Sequence, residues 1–118
     1  MKIAEDELQK WEIEYKKGFS KPLVLFALYE KPTYPYQVTK TISSKTQHMI
    51  SVAGSNIYPI LRKLKKAGII SSEEDIDSGK NIYSLTEEGK EFLISLKQSL
   101  KEFVSILEEV IETHDEMK

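Results

Sequence analysis

The 118-residue chain contains no cysteine, which excludes disulfide bonds, thiol catalysis, thiol redox sensing and cysteine-based zinc sites. Long hydrophobic runs are also missing, because the longest one, Leu23–Tyr29, is far too short to span a bilayer. No basic-then-apolar signal segment occurs near the N-terminus. These absences predict a protein that remains in the cytoplasm and does not insert into a membrane.

The residue patterns that most catalytic sites require are absent as well. No histidine lies near a nucleophile motif, no glycine-rich phosphate loop occurs, and no pair of acids lies in an apolar setting. The two histidines, His48 and His114, are far apart, whereas a metal site normally needs three or four converging ligands. The sequence therefore predicts no enzyme, no metal and no cofactor.

Acidic residues are missing from one long segment, residues 31–72, which carries seven basic residues and no Asp or Glu. By contrast, residues 1–30 carry six acidic and five basic residues, and residues 73–118 carry thirteen acidic and five basic ones. A segment of one sign creates its own local field, whatever the net charge of −2 and the isoelectric point near 5.8 suggest. The acid-free segment predicts a polyanionic partner.

The rest of the composition, 40% hydrophobic and 31% charged, is that of one ordinary globular domain. A first helix is predicted over residues 4–17, where an apolar stripe recurs at helical spacing: Ala4, Leu8, Trp11 and Tyr15. Gly18 is predicted to end it at the C′ position, which glycine favours. Ser20 and Pro22 open a second helix, because proline is tolerated in a first turn. The apolar run that follows makes this second helix part of the core.

A third helix is predicted from Pro35 to about Ser44, with Val38 and Ile42 on a short buried edge. Polar residues 45–53 then form the turn into the next helix.

The clearest amphipathic helix is predicted over residues 55–67. One face carries four apolar residues, Ile57, Ile60, Leu61 and Leu64. An advance of 100° per residue places four residues on the opposite face: Ser55, Pro59, Arg62 and Lys66. Tyr58 and Lys63 lie at the borders of that face. With Ser55 or Asn56 as N-cap, Pro59 falls in or just after the first turn and need not break the helix. Gly68 is predicted to end it.

Two strands are predicted at Ile69–Glu74 and Lys80–Leu85, joined by a turn. Thr86 then caps a last helix, which is predicted to extend to Glu116. Its seam residues recur at spacings of three and four: Leu93, Leu96, Leu100, Phe103, Leu107, Val110 and His114. One small core cannot cover so long a stripe, so another chain or the first helix must bury the surplus. The predicted dimer interface consists of the apolar residues of this seam together with three residues of the first helix, Leu8, Trp11 and Tyr15.

This order of elements is that of a winged helix-turn-helix. The predicted fold is mainly α with a small β-wing, an added N-terminal helix and a long C-terminal dimerisation helix. Its segments are an accessory helix at 1–18, a DNA-binding domain at 19–85 and the dimerisation helix at 86–118. Because helix 55–67 lies inside the acid-free segment, charge and topology point to the same surface.

Three short motifs resemble the PadR family of bacterial and archaeal transcriptional regulators. The first is Asn56-Ile57-Tyr58-Pro59 with its Leu-x-x-Leu helix closing on Gly68-Ile69-Ile70. The others are Tyr83-Ser84-Leu85-Thr86-Glu87-Glu88-Gly89 and Tyr34-Pro35-Tyr36-Gln37-Val38. Three features depart from the family pattern. Pro35 and Gln37 replace a glycine and a glutamate, the wing tip holds one lysine where relatives often carry several basic residues, and residues 4–17 add a helix.

The resemblance implies a homodimeric repressor that binds double-stranded DNA at an inverted-repeat operator. The recognition helix would enter the major groove, and the wing would touch the backbone or the minor groove. In some relatives a small aromatic or cationic compound releases the DNA, so an effector at the dimer interface is among the implied partners.

Ten residues are predicted to contact DNA: Tyr36, Lys45, Ser55, Asn56, Tyr58, Arg62, Lys63, Lys66, Lys80 and Asn81. The start of a recognition helix offers N–H groups to phosphate and short polar side chains to base edges. Arg62, the single arginine, could fork onto guanine or phosphate. The plain alternatives for these residues are capping, packing and solvation. Trp11 likewise either packs on the long helix or walls a ligand pocket between protomers.

Two other functions stay open at the level of the sequence. The domain could serve as a protein-interaction module whose basic face docks an acidic partner. It could also coat DNA without sequence choice, which a wing with a single lysine makes less favourable. Salt-dependent binding to random duplex favours DNA, and binding to an acidic protein alone favours the interaction module.

Overall fold

A computed structural model of the protein describes residues 2–114 and 116. That part of the chain forms five helices and one two-stranded sheet: α1 (Lys2–Lys17), α2 (Ser20–Glu30), α3 (Pro35–Lys45), α4 (Gly54–Lys66), β1 (Ile70–Glu74), β2 (Asn81–Leu85) and α5 (Glu87–Glu112). The predicted fold, mainly α with a small β-wing, is confirmed. The predicted segments 1–18 and 86–118 also include residues 1, 115, 117 and 118, which lie outside the described residues.

The core lies between α2, α3, α4 and the sheet, and the start of α5 closes it. Four residues of the apolar run of α2 are buried: Val24, Leu25, Ala27 and Leu28. This agrees with the prediction that α2 is a core helix. Val38 and Ile42 are buried on the inner edge of α3, in agreement with their predicted spacing. The antiparallel strands pair from Ile70 opposite Leu85 to Glu74 opposite Asn81. Thr33 adds an isolated bridge to Tyr83, which ties the α2–α3 connection to the sheet.

The turn between α3 and α4 adopts a conformation that glycine usually supplies. Gln47 and His48 have φ angles of 53° and 65°, in the left-handed region. The His48 N–H donates to the Ser43 carbonyl oxygen at 2.7 Å, which closes α3. The Thr46 hydroxyl oxygen then accepts from the Ile50 N–H at 3.1 Å. These bonds set the direction in which the chain enters α4.

The end of α4 and the start of α5 dock onto each other. Gly68, with φ of 78°, closes α4 as predicted, and the Ile69 N–H donates to the Leu64 carbonyl oxygen at 3.0 Å. Thr86 caps α5 as predicted, since its hydroxyl accepts from the Gly89 N–H at 2.9 Å. The same hydroxyl donates to the Gly68 carbonyl oxygen at 2.7 Å. A Cβ at residue 89 would overlap the Ile69 carbonyl oxygen, so this junction requires glycine.

The α1 helix ends at Lys17, so Gly18 follows its last residue as predicted. Gly18 does not have the positive φ angle of Gly68 and Gly79, so the helix end is not a left-handed glycine cap. The chain instead passes through a right-handed turn, with Phe19 at φ −93° and ψ −5°. The Phe19 N–H donates to the Lys16 carbonyl oxygen at 3.1 Å, so helical bonding nearly continues from α1 into α2.

The last helix is shorter than predicted, ending at Glu112 rather than Glu116. The Thr113 hydroxyl donates to the Glu109 carbonyl oxygen at 2.6 Å, and His114 Nδ1 lies 3.0 Å from the Val110 carbonyl oxygen. Glutamates near a helix C-terminus face the negative end of the helix dipole, and the last turn contains no basic residue. His114 therefore follows the helix and does not extend its seam.

Candidate nucleic-acid interface

Helix α4 packs one face on the core and presents the other to solvent. Ile57, Leu61 and Leu64 are buried, and Ile60 is half-buried against them. The opposite face, with Ser55, Arg62 and Lys66, is exposed. The predicted amphipathic helix is confirmed, and its solvent-facing side is free to meet a partner.

The start of α4 lies earlier than predicted. Its N-cap is Ala53, at φ −62° and ψ 148°, rather than Ser55 or Asn56. The Asn56 N–H donates to the Ala53 carbonyl oxygen at 2.9 Å, so Asn56 already belongs to the first turn. The capping prediction is therefore wrong, and the reason is that a backbone turn replaces the side-chain cap. As a result, neither the Ser55 hydroxyl nor the Asn56 carboxamide is used as a cap.

This earlier start also moves Pro59 deeper into the helix. Pro59 lies in the second turn of the helix. The sequence had placed it in the first turn or just after it. Proline has no N–H, so the Ser55 carbonyl oxygen loses its usual intrahelical donor. The helix continues to Lys66 regardless, and that carbonyl oxygen is left near the exposed end of α4.

The two flanks of α4 face different parts of the molecule. Tyr58, 51% exposed, and Lys65 lie on the flank toward the hairpin, where the Lys65 ammonium donates to the Ser72 hydroxyl at 2.8 Å. Asn56 and Ile60 lie on the flank toward α1. The helix therefore offers three surfaces: an outward face, a flank beside the hairpin and a flank beside α1.

A cleft of about 790 Å³ separates α1 from this second flank of α4. It is lined by α1, by the start of α2, by residues 49–52 and by Asn56, Pro59 and Ile60. The sequence did not predict this cleft. The periodicity of α1 gives its apolar stripe, but it does not give the helix's position relative to α4.

Helix α3 brings two further predicted residues to the surface. Tyr36 is 72% exposed in the first turn of α3, with the Lys40 ammonium 5.4 Å from its ring centroid. Lys45, at the end of the helix, lies 3.2 Å from a Glu30 carboxylate oxygen in an exposed ion pair. Such a pair is weak and screened by salt, but it partly neutralises one of the seven charges of the acid-free segment.

The hairpin tip holds the last two predicted DNA contacts, Lys80 and Asn81, both exposed. The Lys80 ammonium lies 5.9 Å from the Tyr34 ring centroid. Asp75 accepts from the Ser78 hydroxyl at 2.7 Å and from the Tyr34 hydroxyl at 3.3 Å. The bond from the Ser78 hydroxyl, above all, holds the pKa of Asp75 below its ordinary value of 3.8. The tip is therefore anchored to the α2–α3 connection.

Comparison with known proteins identifies the family. Residues 24–95 match the transcriptional regulator PadR-like family. The chain belongs to the PadR family.

Solved structures of transcriptional regulators have a similar architecture. A PadR family transcriptional regulator from Eggerthella lenta is 25% identical, with a TM-score of 0.75 over 96% of this chain and 99% of that one. A transcriptional regulator from Clostridium thermocellum is also 25% identical, with a TM-score of 0.70 over 85% and 93%. Bacillus subtilis PadR in complex with operator DNA is 29% identical, with a TM-score of 0.58 over 64% of this chain and 45% of that one. This PadR chain is a transcriptional regulator and not an enzyme.

The apolar stripes of α1 and α5 are largely uncovered in this PadR protomer. Along the predicted seam, Leu93 is buried, Leu96 and Leu100 are half-buried, and exposure reaches 53% at Phe103, 41% at Leu107 and 55% at Val110. Leu8, Trp11 and Tyr15 of α1 are 59%, 69% and 60% exposed. Within one chain α1 therefore does not cover the seam of α5, which was one of the two covers predicted for it. Glu12 and Lys16 line the cleft, so they lie on the flank of α1 that faces α4.

The histidines take local roles in this PadR chain. His48 Nδ1 lies 2.8 Å from the Ser43 hydroxyl, within the left-handed turn before α4. Among residues 2–114 and 116, no group of three or more His, Cys, Asp or Glu side chains could hold a metal ion. No helix in that part of the chain is both long enough and apolar enough to cross a membrane.

Proposed function

We propose that this PadR-family protein is a homodimeric repressor that recognises an inverted-repeat operator, with α4 of each protomer in the major groove. The observation that carries the proposal is the exposed outward face of α4, where Ser55, Arg62 and Lys66 project from the acid-free segment. The complex of Bacillus subtilis PadR with operator DNA supports it.

Affinity and specificity should come from different parts of this surface. Phosphate contacts by basic side chains give most of the affinity and carry no sequence information. The first two turns of α4 present Ser55, Asn56 and Tyr58, which are all exposed and not used as caps. Arg62 follows one turn later, at a distance from the helix start at which a guanidinium can still reach a guanine edge. These four side chains are the proposed sequence-specific contacts.

The width of the apolar face on α5 supports a dimer built from two kinds of helix. Its exposed members in the second half of the helix are Phe103, Val104, Ile106, Leu107, Val110 and Ile111. At 100° per residue this set spans about 160° of the helix surface, much wider than a two-helix seam. The α5 helix of a second protomer covers only part of that arc. The exposed stripe of the partner's α1 has the apolar character needed to cover the rest.

Selection of bound sequences from random duplex DNA tests the proposed function. The expected result is an enriched inverted repeat whose half-sites are centred about 10 bp, or a multiple, apart, because the dimer is two-fold symmetric. Retention of duplex without any enriched sequence would instead favour architectural binding. Failure to retain duplex, together with binding to an acidic protein, would favour the interaction module.

A pair of substitutions separates base recognition from backbone binding. Asn56→Ala should relax the preference at one position of each half-site, at about 1–3 kcal/mol against the preferred base, because a carboxamide pairs with adenine. Lys66→Ala, ten residues and nearly three turns further along, should weaken all sequences alike and make the salt dependence shallower. Competition titrations on matched duplexes measure both effects. The contact assignment is wrong if Lys66→Ala changes base preference and Asn56→Ala does not.

The proposal also includes a small-molecule effector that binds at the dimer interface near Trp11. Trp11 is the single tryptophan and is 69% exposed in the protomer, so its fluorescence reports on whatever covers it. If Trp11 walls a pocket between protomers, an aromatic or cationic effector should quench this signal and weaken operator binding together. If Trp11 only packs against the partner, the signal will respond to dimer dissociation and not to such compounds.

A further inference from the structure

A second cluster of lysines lies beside the recognition helix, outside the acid-free segment. Lys16 and Lys17 at the end of α1 and Lys21 at the start of α2 line the cleft whose other wall is α4. Lys17 lies 3.7 Å from Glu14 in an exposed pair. Within the described part of the chain, Lys16 and Lys21 form no ion pair. Lys16, Lys17 and Lys21 together form the cleft cluster.

The charged residues that line the cleft from residues 1–30 are mostly basic, although that segment is acidic as a whole. Residues 1–30 contain five basic and six acidic residues, so their sum gives no sign of a basic surface. Three of those five lysines line the cleft, whereas Glu12 is the one acid of the six that does so. The folded chain therefore has a net positive wall here that a sum along the sequence conceals.

The other side of α4 has the opposite charge. The hairpin carries Glu73, Glu74, Asp75 and Asp77 against a single basic residue, Lys80. A helix in the major groove, about 12 Å wide, has a phosphate backbone along each flank. With α4 in the groove, the backbone on the hairpin side would meet these four carboxylates against Lys80 and Lys65. The backbone on the α1 side would meet the cleft cluster.

The α1 flank of α4 leads directly to the cleft cluster. Asn56 and Lys63 are seven residues apart and so lie on the same flank, and Asn56 itself lines the cleft. Pro59, on the border of the outward face, lines it too. The cluster is therefore continuous with the surface assigned to DNA.

We propose that Lys16, Lys17 and Lys21 bind the backbone phosphates of the DNA strand that passes along the α1 flank of α4. This inference rests on the proposed placement of α4 in the major groove. It extends the DNA surface from the helix-turn-helix onto the α1–α2 junction and makes that flank, rather than the wing, the main site of phosphate binding beside α4.

The test is a charge-removing variant, K16Q/K17Q/K21Q, titrated with its selected operator over a range of salt concentrations. Affinity at low salt should fall about tenfold or more, and the slope of log affinity against log salt should become shallower by about two to four. Such a change means that each dimer neutralises two to four fewer phosphates, at roughly 0.9 each. Base preference should not change, because phosphate contacts carry no sequence information.

Two further variants make the result specific. K90Q/K97Q/K101Q removes the same number of charges from exposed sites on α5, and its slope should stay close to that of the unmodified protein. K16R/K17R/K21R keeps the charges and should keep the slope. Because Lys16 is half-buried, K17Q/K21Q, which alters exposed side chains only, guards against misfolding as the cause.

The outcomes separate this inference from the proposed function. If the unmodified protein binds duplex with a steep salt dependence and the cleft variant matches the α5 variant, the cluster does not contact DNA. If the unmodified protein shows no salt-dependent duplex binding, the proposed function is wrong and this inference falls with it.

Discussion

Replacing Leu100 and Leu107 by aspartate should convert the protein into monomers that bind operator at least about a hundredfold more weakly. Linking two half-site contacts in one dimer raises affinity by roughly 10²–10⁴, and the variant loses that gain. Leu107 is 41% exposed and Leu100 half-buried in the protomer, so aspartates there should disturb the interface more than the fold. Light scattering gives the mass, and fluorescence anisotropy gives the affinity.

The chain offers a matched control for this double variant. Gln98→Asp with Ser105→Asp introduces two carboxylates at the same spacing of seven residues, but on the polar side of α5. This control should remain dimeric and bind operator normally. A monodisperse monomer of the unmodified protein at micromolar concentration, or a dimeric L100D/L107D variant, would contradict the proposed interface.

Gly89→Ala should lower the free energy of unfolding by about 1–3 kcal/mol or more, the usual cost of forcing atoms into a packed site. The added Cβ would overlap the Ile69 carbonyl oxygen, so the Thr86 cap and the Gly68–Ile69 turn would have to separate. Thermal unfolding followed by circular dichroism should show a midpoint several degrees lower.

The same substitution at Gly18 provides the control. A Cβ at residue 18 would meet no atom within 4 Å, and Gly18 does not have the positive φ angle of Gly68. Gly18→Ala should therefore be neutral or stabilise the fold by up to about 1 kcal/mol. Equal midpoints for the two variants would show that the α4–α5 junction is looser than the structure indicates.

Local chemistry explains why much of the fold was predictable. Helix α4 has a strong 3.6-residue period, and its end at Gly68 needs a left-handed residue that glycine supplies. Thr86 is followed by two glutamates, which suit the positive end of a helix, and the observed cap is the one expected. The start of α4 was not predictable in the same way, because Ala53 has no capping side chain to mark it.

The position of α1 could not be obtained from periodicity. An apolar stripe at Leu8, Trp11 and Tyr15 shows that something covers this face, but not whether the cover belongs to the same chain. In the protomer the stripe is exposed and the opposite side of α1 borders the cleft. Likewise, the sum of charges over residues 1–30 concealed the three lysines of the cleft cluster, because only the folded chain places them on one wall beside α4, with a single acid among its lining residues.

The salt dependence of affinity for the selected duplex tests the central claim most directly, that the basic surface around α4 is the DNA-binding site. If four to eight phosphates are neutralised per dimer, a plot of log affinity against log salt should be linear, with a slope between about −4 and −7. A slope near zero on the same duplex would contradict the claim, because a surface that binds phosphate must release counterions when DNA binds.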